Sequence, residues 1–221
     1  MTNRQDIVIR STRATDIPQI IDLCTRTYSG AEPWSEKQIE SHLAVFPEGQ
    51  LVAVDAADRL CGMSASLIVF WDEYDHWDNW REFTAHGYFT NHDPLSGKTL
   101  YGAEVMVDPE YQGMGIGKKL YAARRQICIA HELKRIRAGA RLRGYHRYAA
   151  DIPAAEYVRR VISGQIGDPT LSFQLKQGFT VLAVVQGYLR HDPESLGWAA
   201  LIEWLNPQYI NEVPPPLRES V

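Results

Sequence analysis

The stretch from Thr99 to Ala130 does most to limit what this chain can fold into. It opens with TLYGAEVMV, Thr99 to Val107, whose β-branched and aromatic residues read as a strand. DPEYQGMGIG then breaks the pattern with Pro109 and with Gly113, Gly115 and Gly117. From Ile116 the apolar residues return at spacings of four and three: Ile116, Leu120, Ala123, Ile127 and Ala130. A strand passing through glycines into an amphipathic helix calls for an α/β arrangement. Lys118, Lys119, Arg124 and Arg125 fall away from the apolar stripe.

Similar patterns fill the rest of the chain. A short strand from Ile7 to about Ser11 precedes a helix carrying Ile17, Ile20, Ile21 and Cys24, with Thr15 or Asp16 as its cap. SEKQIESHLAVF is a helix with Ser35 at the N-cap and Gln38 completing a capping box. GQLVAVDAADRLCGMSASLIVF reads as two strands about a turn at Ala57-Asp58. RIRAGARL is a strand, PAAEYVRRVISG and PTLSFQLKQG are helices stopped by Gly164 and Gly178, and FTVLAVVQGYL and WAALIEWLN are the closing strands. With no internal repeat and no linker, one domain is expected over 1–205, followed by a Pro-rich irregular tail over 206–221. An aromatic and acidic insertion, about 71–98, shows no clear period.

The bulk properties exclude several classes. A chain of 221 residues can bury a real core. A net charge of -4 disfavours nucleic acid as a partner. Cys24, Cys61 and Cys128 are too scattered for a disulfide framework or a CxxC metal site, and read as buried thiols in a reducing cytosol. No signal peptide is visible, and no apolar window approaches the ~20 residues of a membrane span. A cytoplasmic protein without membrane contact is therefore expected. His76, His86 and His92 lack metal-ligand spacing, and no metal is expected.

The glycine turn is the strongest functional signal. A helix N-terminus offers unpaired N–H groups and a partial positive charge, and so attracts phosphates. Lysines there oppose the helix dipole unless an anion is seated between them. A Walker A loop would need Gly at Gln112 and Ser or Thr at Lys119. A dinucleotide fingerprint would need Gly at Lys118 and an acid between Glu132 and Asp151, where none occurs. The pattern that fits is Gln112-x-x-Gly115-x-Gly117, and here the sequence resembles the GCN5-related N-acetyltransferases. A narrower resemblance, through Thr99–Arg125, DPTLSFQLKQGF and PESLGWAALIEWLNP, is to the acetyltransferase domain that precedes a carbon-nitrogen hydrolase domain in some bacteria.

The resemblance implies an α+β fold, with a mixed, mostly antiparallel sheet flanked by helices. It implies acetyl-CoA as cofactor, its pyrophosphate on Gln112, Gly113, Met114, Gly115, Ile116, Gly117 and Lys118. It also implies that the Val105–Met106–Val107 backbone pairs with the pantetheine arm where a bulge splays that strand from its neighbour. An N–H near Met106 or Val107 would polarise the thioester carbonyl. Glu104, on the same strand, is the candidate base for the acceptor amine. The family's usual acid, a tyrosine, falls here on Gln174; Ser172, Tyr145 or a water are the candidate replacements.

Two further segments stay open. RLRGYHRYAAD, Arg141 to Asp151, is either a substrate loop for an anionic group or a solvated basic loop. WDEYDHWDNW, Trp71 to Trp80, is either a lid for a cationic amine or a packed insertion. The expected function is acetyl transfer to a primary amine, of a small molecule or a protein, by direct attack in a ternary complex. The alternative is a non-catalytic acyl-CoA sensor. A homodimer is common for such a fold.

Overall fold

The computed structural model describes residues 6–28, 32–190 and 192–209. The expected irregular stretch around Pro214 to Pro216 lies outside these. Among the described residues, β1 (Val8–Ser11), β2 (Gln50–Val54), β3 (Leu60–Val69), β4 (Thr99–Val107), β5 (Arg135–Arg141), β6 (Thr180–Val185) and β7 (Ala199–Leu205) form one sheet in the order β1-β2-β3-β4-β5-β7-β6. Every neighbouring pair is antiparallel except β4 and β5. The helices are α1 (Ile17–Thr27), α2 (Glu36–Val45), α3 (Trp80–Phe83), α4 (Ile116–Ala130), α5 (Ala154–Ile162) and α6 (Leu171–Lys176). A parallel pair cannot be joined by a hairpin, and α4 supplies the crossover.

The sheet separates two apolar layers. Ile20 and Leu23 of α1 and Ile39 of α2 pack with Val52, Leu67, Tyr101 and Met106 on one side. Tyr121 of α4, Tyr157 and Val158 of α5 and Leu171 of α6 pack with Leu100, Ile136 and Ala138 on the other. Leu100 and Tyr101 are consecutive on β4 and serve opposite layers, as strand pleating requires. Just beyond β7, the buried Asn206 side chain donates to the Leu133 carbonyl at 2.8 Å.

The Ser35–Gln38 capping box of α2 forms as expected. Asp16 precedes α1, but its carboxylate does not cap that helix. It accepts from the Arg13 N–H at 2.7 Å and pairs with Arg10 at 2.6 Å, because the strand places a guanidinium within reach. Part of the aromatic insertion joins the core, while Trp77 and Tyr88 are exposed. Trp71, Phe83 and Phe89 are buried, and Phe83 stacks on Trp71 and Tyr101 with centroids 5.0 and 4.8 Å apart. The Asp75 and Asp78 carboxylates accept from backbone N–H groups of their own turn.

What shapes the molecule's centre is a break in β4. The β3–β4 register shifts so that Ala65 faces Glu104 while Ser66 faces Gly102, leaving Ala103 as an extra residue. β4 pairs with β5 only from Thr99 to Tyr101, and the two strands then part. Side chains satisfy the carbonyls that the bulge releases. The Trp80 indole N–H donates to Ala103 O at 3.0 Å. Arg124 donates to Glu104 O at 2.5 Å, Ala65 O at 3.0 Å and Ser66 Oγ at 2.9 Å.

Arg124 thus departs from its expected place off the apolar stripe: only 1% of it is exposed. Its guanidinium follows the acceptors left open by the bulge, and burial pulls its pKa below the usual value. Gly102 makes the room, since a Cβ there would stand 2.7 Å from Arg124 Nη1. On the opposite face Tyr188 lies across Gly139 of β5, where a Cβ would come within 2.0 Å of the ring, and its hydroxyl meets that of Tyr101.

Arg124→Met keeps much of the side-chain volume but leaves two buried carbonyls without a donor. It is expected to lower the free energy of unfolding by about 2–4 kcal/mol, read from urea denaturation.

Candidate active site

Asp108 pins the end of β4. Its N–H donates to Cys61 O of β3 at 2.9 Å. Its fully buried carboxylate accepts from the Glu110 N–H at 2.9 Å and pairs with Arg26 at 2.9 Å. The chain then turns through Pro109–Tyr111 to the exposed residues Gln112, Gly113, Met114 and Gly115. The Gln112 side chain reaches back toward Val107 O at 3.5 Å. Gly113 and Gly115 both have φ of +79°, the left-handed region in which a side chain is strained. No atom lies within 4 Å of where a Cβ would stand at either position. The backbone conformation therefore demands glycine, and the space above the turn is open.

Gly115 is the N-cap of α4, and no side chain caps that helix. The N–H groups of its first turn are left facing the open space, a setting suited to an anion. Ile116 is buried beneath the turn, while Lys118 is exposed at its rim. The second lysine has a different use: Lys119 Nζ donates to Ile7 O at 2.9 Å. Gly117 faces Phe173 of α6, 3.2 Å from where its Cβ would stand.

The direction of each backbone group on β4 follows from the ladder. The Asp108 N–H points to β3, so by alternation that of Met106 does too, while those of Val105 and Val107 point toward the side that β5 has left. Of the Met106 and Val107 N–H groups, that of Val107 is the one turned away from β3. Met106 is buried in the core through its side chain, and the Val105 N–H is taken by Glu104 Oε1 at 2.9 Å.

Glu104 stands at the parting of the strands, on the α1 side. Its Oε1 also accepts from the Tyr28 hydroxyl at 2.8 Å. Burial pushes its carboxyl above the usual range, although Tyr28, the Val105 N–H, Arg141 and Arg124 all pull the other way. The Tyr28 ring lies under Arg141, with 5.4 Å from Cζ to the centroid, and Arg141 pairs with Asp192 at 2.7 Å. Asp192 lines an open hollow of about 560 Å³ with Leu189 and Leu196.

Ser172 and Tyr145 are not brought to Glu104. Ser172 Oγ accepts from the Asp168 N–H at 2.9 Å, while Asp168 holds the Thr170 and Leu171 N–H groups; this is a turn lock ahead of α6. The buried Tyr145 hydroxyl donates to Ile152 O at 3.2 Å, and its ring packs on Tyr157. Both are bound into local structure by partners far along the chain from β4. Gln174 does point inward: it is 6% exposed, and its Nε2 donates to the Tyr121 hydroxyl at 2.8 Å. Tyr121 escaped the sequence analysis. It lies one turn beyond Gly117, so a helical projection from the glycine turn was the signal that could have found it.

Two arginines of the basic loop are ion-paired. Besides Asp192, Arg141 pairs with Glu194 at 3.1 Å, and Arg143 pairs with the same carboxylate at 3.1 Å. Cys24, Cys61 and Cys128 are free and buried. Among the described residues, no helix is long and apolar enough to cross a membrane.

A glycine turn, a splayed strand and a half-buried carboxylate thus follow one another along β4 and the start of α4. The family model described as "Acetyltransferase (GNAT) family" matches residues 17–149. The chain is 44% identical over 204 residues to "Probable hydrolase YhcX" of Bacillus subtilis (strain 168), covering 92% of this chain and 39% of that protein. It therefore spans about two fifths of that relative's length. It is 38% identical over 209 residues to "Uncharacterized N-acetyltransferase YkwB" of the same organism, covering 92% of this chain and 90% of that one. Among solved structures, the "GphF GNAT-like decarboxylase in complex with isobutyryl-CoA" superposes with a TM-score of 0.74 at 19% identity, covering 90% of this chain and 99% of that one. The chain belongs to the GNAT family, and the domain is of the acyl-CoA-dependent N-acyltransferase class.

Gly115→Glu puts a carboxylate and a strained backbone at the turn. Coenzyme A is expected to raise the melting temperature of the wild type and to leave that of the variant unmoved, as differential scanning fluorimetry with and without coenzyme A will show.

Proposed function

We propose that the domain transfers an acetyl group from acetyl-CoA to a primary amine, by direct attack with both substrates bound. The observation that carries this reading is the uncapped, glycine-entered helix beside the point where β4 leaves β5. Bound acetyl-CoA would supply an activated acyl carbon with a thiol leaving group. Backbone N–H groups from Gly113 to Lys118 hold its phosphates. The Val107 N–H, turned into the gap, polarises the carbonyl to be attacked.

Glu104 takes the proton that an alkylammonium, with a pKa near ~10.4, must lose. Its raised pKa suits a base better than that of an ordinary carboxylate, and Tyr28 holds its orientation. The acceptor approaches past the hollow beside Asp192, where Arg141 and Asp192 already neutralise one another. That leaves Glu104 as the carboxylate facing the incoming amine. The reducing cytoplasm suits three free, buried cysteines.

The test is mass spectrometry of products formed from acetyl-CoA and a pooled library of small amines and lysine peptides. An acetylated amine is expected. Binding of coenzyme A without any product would favour the sensor alternative. With the acceptor in hand, Glu104→Gln should lower kcat/KM by about 10²–10⁴-fold. Burial favours the protonated carboxyl, so the wild-type rate should rise with pH through a limb lying above the ordinary carboxylate range. The variant should lose that limb in a pH–rate profile.

A further inference from the structure

Between the glycine turn and the bulge, α4 carries a polar side chain that the reading above does not use. Gly117, Tyr121 and Arg124 stand at i, i+4 and i+7, on one side of the helix. Gly117 is at the anion-ready turn, and Arg124 holds the Glu104 carbonyl at the bulge. Tyr121 lies between them, about 6 Å along the axis from Gly117. Its ring is 4% exposed, with the Arg124 guanidinium carbon 5.6 Å from its centroid and Phe173 and Phe179 packed edge-on at 5.5 and 5.7 Å.

The hydrogen bonding of Tyr121 is incomplete. Gln174 Nε2 donates into its oxygen, so the phenolic proton must point elsewhere, and no acceptor for it is present among the described residues. Gln174 Oε1 is also buried without a partner. Two unmet polar groups in an apolar layer are costly unless a ligand completes them. An acyl-CoA arm running from the turn at Gly117 to the gap beside Glu104 passes this pair.

We propose that Tyr121 is a catalytic residue that donates a hydrogen bond to the sulfur of the acyl-CoA thioester and then to the departing thiolate, with Gln174 as the positioning residue that fixes its hydroxyl. This rests on the acyl-CoA reading given above. When the carbon–sulfur bond breaks, the electron pair stays on sulfur and Tyr121 shares its proton without giving it up. The proton that finally neutralises the thiolate is the one lost by the acceptor amine. Glu104, on the α1 layer, and Tyr121, on the α4 layer, therefore address opposite sides of the gap.

The experiment titrates the thiol of coenzyme A bound to the wild type, to Tyr121→Phe and to Gln174→Met. The thiolate band is followed in the ultraviolet, with the desulfo-coenzyme A complex as blank. The protein's own thiols interfere little, since burial pushes Cys24 and Cys128 up to about 12. In the wild type the bound thiol should titrate about one unit below its free value near ~8.5, and in Tyr121→Phe it should return to that value or above. In turnover, Tyr121→Phe should lower kcat about ten- to hundredfold with KM for acetyl-CoA nearly unchanged.

An unchanged thiol pKa in a Tyr121→Phe protein that still binds coenzyme A would overturn this inference alone. A rise in Gln174→Met but not in Tyr121→Phe would assign the contact to Gln174 and overturn it as well. Failure of the wild type to bind coenzyme A would instead remove the acyl-CoA reading and this inference with it.

Discussion

The parting of β4 from β5 is the constraint on which the rest of the structure depends. Two parallel strands that separate inside a sheet expose backbone groups that must find partners. Here the side chains that meet them come from both layers. Trp80 reaches Ala103 O from the insertion, and Arg124 reaches Glu104 O and Ala65 O from α4. With the outer carbonyls satisfied in this way, the Val107 N–H can remain turned into the gap. The gap is thus a built feature, and its geometry is held by residues that need never touch a ligand.

The same arrangement explains the division of chemistry between layers. The α1 layer holds the groups suited to proton removal: Glu104, raised by burial, and Tyr28, bonded to it. The α4 layer holds the groups suited to an anionic, thiol-bearing ligand: the uncapped helix start, Lys118 at the rim, and the Tyr121–Gln174 pair. On the α1 layer Tyr188 lies on Gly139 of β5 and meets the Tyr101 hydroxyl. Arg141 with Asp192 and Glu194, and Arg26 with Asp108, are paired locally, while Lys118 stands exposed at the glycine turn.

Much of the fold was legible because its signals are local. The β4 pattern, the glycine turn, the α4 helix and the Ser35–Gln38 box each depend on residues within a few positions of one another, and each formed where the spacing put it. The site was legible in part. Gly113 and Gly115 announced the turn, and Glu104 was marked by its place on the strand. Ser172 and Tyr145 are engaged by residues close in sequence, Asp168 and Ile152, whereas the partners of Arg124 are remote. Arg124 looked like a surface residue on a helix wheel, yet its acceptors, Ala65 and Glu104, lie on two strands brought beside α4 only by the crossover. The aromatic insertion stayed open between two readings, because Trp71 and Phe83 find their place only against Tyr101 of a distant strand.

The sequence by itself determined the α/β order, the glycine turn suited to an anion and the resemblance to the family, because helix periodicity, strand alternation and the left-handed preference of glycine are properties of short segments. Only the tertiary structure decided which backbone N–H faces the gap, which arginine is buried, and which tyrosine lies beside Gln174. Those outcomes depend on a one-residue shift between β3 and β4 and on the contact of α4 with α6. Pairings across such distances are set by packing and by the satisfaction of buried polar groups, which no short stretch of sequence records.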